Sequence, residues 1–175
     1  MSELNRLSVD EFKMAAKLPI VIVLDNIRSQ NNIGSIFRTT DSFRLQSIFL
    51  CGITATPPHR EIHKTALGST ETVSWKYFSN TAEAIQLLIS QDYHVIAVEQ
   101  THRSVLLPDF TPSPEEKLAL VFGNEVHGVD EKILEMCRTI LEIPQFGTKH
   151  SLNVSVAVGI VIWDIVSGGK LRSGL

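Results

Sequence analysis

Cysteine is almost missing from this sequence. Its two residues, Cys51 and Cys137, stand far apart in or beside apolar segments and form no CxxC or Cys/His spacing. A disulfide framework and a thiolate metal centre are thereby excluded, and a reducing cytoplasm is the natural setting. The six histidines, at 59, 63, 94, 102, 127 and 150, have no matching carboxylate or cysteine spacing, so no metal site is expected and solvated or hydrogen-bonded roles are assigned to them. Long hydrophobic runs are also lacking. The longest apolar or glycine stretch, Val156 to Trp163, is too short to span a bilayer, and Met1 to Lys17 carries charges and no apolar core of a secretory signal. No membrane partner is expected. Neither G-x-G-x-x-G after the first strand nor a Walker-type G-x-x-x-x-G-K-[ST] occurs, which removes the usual dinucleotide and nucleoside triphosphate sites.

Positive charge is not in excess either, the net being −3. The distribution is uneven. Asn26 to Lys76 carries six bases against three acids, whereas Glu99 to Glu142 carries nine acids against four bases. One end can face nucleic acid while the other faces solvent, although ordinary scatter on a mixed-charge surface produces the same asymmetry.

What is present is a chain of 175 residues with 43% hydrophobic content, enough for one compact domain over 1–175 with 1–17 as a short N-terminal extension. Pro19 to Asp25, Ser47 to Cys51, His94 to Val98, Leu118 to Phe122 and Thr139 to Ile143 are short, branched, apolar runs that read as buried strands. Thr70 to Phe78 is a further strand candidate. Helical spacing occupies Ile33 to Phe43, Thr81 to Ser90 and Val129 to Cys137. The alternation predicts an α/β fold, a mostly parallel sheet with helices on both faces. Thr101 to Glu116, with Pro108, Pro112 and Pro114, reads as a surface excursion. Ser151 to Ser167 begins with strand-like alternation but is too long for a strand. A helix is expected from near Ser151 to a stop at Gly168-Gly169, apolar on almost every side and therefore buried, partly in a subunit contact.

Three polar clusters follow strands, where open parallel sheets bind ligands. The first is Asn32-Ile33-Gly34-Ser35-Ile36-Phe37-Arg38-Thr39, the second Val121-Phe122-Gly123-Asn124-Glu125-Val126-His127-Gly128, and the third Ser151-Leu152-Asn153-Val154-Ser155-Val156-Ala157 after Ile143-Pro144. Gly123 and Gly128 bracket a turn whose backbone can approach a ligand closely. Taken alone, that turn is most simply a strand-to-helix connection with a solvated Glu125. Arg38 either pairs with Asp41 at i+3 or offers a guanidinium fork to a phosphate or ribose, and spacing leaves both open.

Taken together in this order, the clusters resemble the SpoU/TrmH-type RNA 2′-O-methyltransferases of the SPOUT superfamily, over Leu18 to Val166. The resemblance implies a C-terminal deep trefoil knot, S-adenosyl-L-methionine as methyl donor, a ribose 2′-hydroxyl of RNA as acceptor, and a homodimer with each active site completed across the interface. It implies Asn32 and Arg38 as catalytic residues and Val98, Glu99, Gly123, Ile143, Ser151 and Leu152 as cofactor contacts, with Glu125 and Asn153 holding the loops or the substrate side. tRNA is the expected substrate, with rRNA or a non-catalytic RNA-binding assembly factor as alternatives; no DNA partner is expected. Asn31 and Ser35 depart from the Pro or His and the Ala usual beside the first motif, and neither change removes a functional group.

Overall fold

The computed structural model describes residues 7–148 and 151–167. The Gly168-Gly169 helix stop and His150 lie outside the described residues. In chain order the elements are α1 (Val9–Met14), β1 (Leu18–Asp25), α2 (Gln30–Ser42), β2 (Leu45–Cys51), α3 (Arg60–Ala66), α4 (Ser69–Thr72), β3 (Trp75–Phe78), α5 (Thr81–Ser90), β4 (Tyr93–Val98), β5 (Val105–Leu106), a 3-10 turn (Leu107–Asp109), β6 (Lys117–Phe122), α6 (Glu131–Met136), β7 (Thr139–Glu142) and α7 (Val154–Ser167).

All seven strands pair in parallel, in the order β3-β2-β1-β6-β4-β7-β5. Alternation explains why the strand sequences are continuously apolar. In β1, Ile20, Ile22 and Leu24 point into a core shared with α2, α3 and α7, while Val21 and Val23 point into a second core with α5 and α6. β6 divides the same way, Leu118, Leu120 and Phe122 against Ala119 and Val121. A strand buried on both faces has no solvated position to place a polar residue.

Three expectations change. The 101–116 segment is not only a surface excursion: Val105 and Leu106 pair with Leu141 and Glu142 as the edge strand β5, and Leu107 is buried. Two residues with half-exposed side chains leave no periodicity to detect. The C-terminal helix begins at Val154 rather than near Ser151, because the Asn153 side chain accepts from Ser155 N at 2.9 Å and caps it. This helix is also not covered all round. Val154, Val158, Val161, Ile162 and Ile165 are buried, but Val156, Ile160 and Trp163 are 49%, 38% and 63% exposed. Among the described residues no helix is long and apolar enough to cross a membrane.

Candidate functional site

β1, β6, β4 and β7 lie side by side, and the loops leaving their carboxyl ends enclose a cleft of about 550 Å³. Its walls include Val98, Glu99, Gly123, Ile143, Ser151 and Leu152, so all six residues expected to contact a cofactor line one cavity. Phe122, Leu134, Val154 and Ala157 add apolar surface, and Gln100, Thr101 and Gln145 add polar groups. Apolar walls of this kind suit a planar ring, and the carboxylate, amide and hydroxyl groups suit its polar substituents.

One hydrogen-bonded relay joins the three motifs and reaches the cleft through Glu125, which lines it. Asn32 donates through Nδ2 to Glu125 Oε1 at 3.3 Å and accepts at Oδ1 from Asn153 Nδ2 at 3.1 Å. Glu125 also accepts from the backbone N–H groups of Arg28 and Ser29, both at 3.3 Å. Ser29 caps α2, so the carboxylate lies at the helix end where unpaired N–H groups favour negative charge. Burial pushes the Glu125 carboxyl up, but hydrogen bonds from its own backbone, from Arg28, from the Asn32 side chain and from Ser29 outweigh this and hold it below its ordinary value.

The second motif is braced from within. Asn124 donates through Nδ2 to Asn26 O at 2.8 Å, and its Oδ1 accepts from Val126 N and His127 N at 2.9 and 3.2 Å. The two glycines serve this brace more directly than they serve a ligand. A Cβ on Gly123 would lie 2.2 Å from the carbonyl carbon of Gly128, and one on Gly128, whose φ is +69°, would lie 2.3 Å from Glu99 Oε2. Glu99 accepts from Val129 N at 3.0 Å and from Gln100 N at 2.9 Å, so it clasps the turn from the β4 side. Sequence reasoning missed these roles of Asn124 and Glu99. The only available signal was a buriable Asn in a glycine-bracketed turn.

Arg38 is outside the cleft. Six residues of helix rotate it by roughly 240° from Asn32, onto a separate groove of about 670 Å³ beside Phe12, Arg44, the Leu67-Gly68 turn and α4. There it is exposed. The i+3 ion pair does not form, since Asp41 Oδ2 accepts instead from the Thr72 hydroxyl, and the Arg38 guanidinium has no partner among the described residues. Nor do the described residues include a cluster of three His, Cys, Asp or Glu able to hold a metal ion. His94 contacts Glu116 and Thr139, both at 2.8 Å, at the other end of the sheet.

The SpoU rRNA Methylase family model matches residues 19–163. The chain belongs to that family. Among SpoU relatives, a 23S rRNA (guanosine-2′-O-)-methyltransferase, RlmB, of Neisseria meningitidis is 28% identical over 87% of this chain and 60% of its own length. The chain spans about 60% of the length of the curated relatives first matched. The structure of an AdoMet-bound rRNA methyltransferase from Sinorhizobium meliloti superposes with a TM-score of 0.79 at 25% identity, covering 93% of this chain and 61% of the other. A TrmH/SpoU tRNA modifying enzyme from A. aeolicus also gives 0.79, at 22% identity over 93% of this chain and 83% of that one, which speaks to the fold alone.

Proposed function

We propose that this chain is an S-adenosyl-L-methionine-dependent RNA methyltransferase that modifies a ribose 2′-hydroxyl, and that its substrate is rRNA. The observation that carries the reading is the joining of the three SpoU motifs by the Glu125–Asn32–Asn153 relay, whose Glu125 lines the cleft. The curated relatives act on 23S rRNA, which moves the substrate class from the expected tRNA to the rRNA alternative.

S-adenosyl-L-methionine supplies a methyl group already activated on a sulfonium. The protein's own task is alignment and charge management. Val98, Gly123, Ile143, Ser151 and Leu152 would hold the donor in the cleft, with Glu99 fixing the turn that forms one wall. Asn32, Glu125 and Asn153 would orient the acceptor ribose. Arg38 faces away from its own cleft, so in this reading it reaches the ribose and its phosphate at a partner subunit's cleft, in a homodimer formed through the Val156, Ile160 and Trp163 stripe of α7. A guanidinium with a pKa above ~12 is a poor base, and its planar fork suits an electrostatic clamp. The cytoplasm, where rRNA and free thiols occur together, is the proposed location.

The test is incubation of the purified chain with labelled S-adenosyl-L-methionine and either 23S rRNA or tRNA, followed by nucleoside mass spectrometry. A 2′-O-methylated nucleoside from rRNA is expected. Methylation of tRNA alone would overturn the substrate class. RNA binding without any methyl transfer would overturn the enzyme reading in favour of an assembly factor.

A further inference from the structure

The outer strand β3 carries Trp75 and Tyr77 at alternate positions, hence on one face, opposite Ile48 and Leu50 of β2. These rings and the turn after β2 line a further cavity of about 400 Å³, bounded by Gly52, Thr54, Ala55 and Thr56. Tyr77 donates from its hydroxyl to Gly52 O at 3.0 Å, which fixes the ring against the turn while 50% of the residue stays exposed. Ile53, in the same turn, is 62% exposed. An aromatic-walled slot held open to solvent is not the way a packed core treats a tyrosine.

The slot is mechanically tied to the site described above. Ile53 N donates to Asn26 Oδ1 at 3.1 Å, and Ile27 N to Thr54 Oγ1 at 2.9 Å. The same 26–29 loop supplies the two N–H groups that hold Glu125. Exposed cations adjoin the slot along the chain: Arg28 in the 26–29 loop bonded to it, and Arg60 at the start of α3, four residues beyond Thr56. Aromatic faces among cations are the combination that holds an unpaired base by stacking and its phosphate by charge.

We infer that the Trp75–Tyr77 slot receives an unpaired base of the substrate RNA flanking the nucleotide to be methylated, an inference that rests on the RNA methyltransferase reading above. Stacking gives the slot its affinity, and the 26–29 loop sets its spacing from the reacting ribose. The adjoining Arg28 and Arg60 favour a phosphate-bearing partner.

The test uses the full chain and RNA that the wild type methylates. Tyr77→Ala is expected to weaken RNA binding about tenfold or more, with S-adenosylhomocysteine affinity unchanged as a check on folding and kcat at saturating RNA retained. Tyr77→Phe, which keeps the ring and loses only the bond to Gly52, should bind RNA within about threefold of wild type. Arg60→Gln should lower the salt slope of binding by about one unit, whereas Tyr77→Ala should leave that slope unchanged. RNA affinity unaltered in Tyr77→Ala, or equal losses in Tyr77→Ala and Tyr77→Phe, would overturn the inference while the methyltransferase reading stands. A wild type that neither binds nor methylates RNA would overturn both.

Discussion

Asn32 is the residue on which the first and third motifs meet the second, donating to Glu125 and accepting from Asn153. Removing either amide function leaves a neighbour without its partner, so Asn32→Ala should loosen the loops and lower cofactor affinity as well as turnover. Glu125 ties loop order to pH. Its carboxyl is held below the ordinary range, so its contribution to loop order is complete above that range and is lost as pH falls through the lowered value. Glu125→Gln should therefore flatten the acid limb of a loop-protection profile followed by hydrogen exchange; an unchanged acid limb would contradict the assignment. Arg38→Ala should behave differently, leaving S-adenosylhomocysteine affinity near wild type while single-turnover methylation falls ~100-fold or more. Arg38→Lys should rescue little, since charge survives but the fork does not. The cysteines have no part in this chemistry. Burial pushes the Cys51 thiol up to about 12 despite the Thr81 hydroxyl, and burial raises Cys137 to about 12 against the pull of Arg103. Neither should react with a thiol reagent at pH 8 in the native protein, and both should react in denaturant.

At the scale of the element, α7 separates two kinds of apolar residue that look alike in sequence. Val158 is fully buried in the protein's own core, whereas Ile160 is 38% exposed on the stripe with Val156 and Trp163. Val158→Asp should unfold the chain or lower its stability by roughly 3 kcal/mol or more. Ile160→Asp should instead yield a folded monomer by sedimentation; a dimer unaffected by Ile160→Asp would remove this stripe as the interface. α2 and α3 supply a second case. Gly34, inside the first motif, lets the helices touch: a Cβ there would lie 2.0 Å from Thr65 Oγ1 and 2.3 Å from Ile62 O. Because one of those atoms is backbone, Gly34→Ala should cost about 1–3 kcal/mol, readable as a lowered denaturant midpoint. That part of the motif serves packing, although its sequence context suggested only the site.

For the whole molecule, the separation of Arg38 from the cleft has a consequence for catalysis. If each active site combines one subunit's cleft with the other's Arg38, a chain lacking the arginine and a chain with a blocked cleft fail for complementary reasons. Mixing Arg38→Ala with Leu152→Trp, each inactive alone, should restore measurable methylation, because a heterodimer retains one site made of two intact halves. No recovery after subunit exchange would show that the arginine serves its own chain's cleft.

Six of the seven strands, β3 only in the second half of its expected span, their parallel pairing and the positions of the three motifs were legible in the amino-acid sequence, because burial on both sheet faces forces continuous branched apolar runs and a parallel sheet presents its loops at the carboxyl ends. Val98, Glu99, Gly123, Ile143, Ser151 and Leu152 meet in one cleft for that reason. Other features were decided by tertiary contacts that leave no local periodicity. Which face of α7 stays open depends on where α2 packs; the role of Gly123 and Gly128 depends on their approach to each other and to Glu99. Likewise β5 exists only because β7 offers it an edge. Arg38 could be matched to a motif by spacing, but helix rotation and the Thr72 bond to Asp41 placed it on another groove without an ion pair among the described residues. Spacing along the chain determines which residues share a helix or a strand end, and only packing determines what each of them faces.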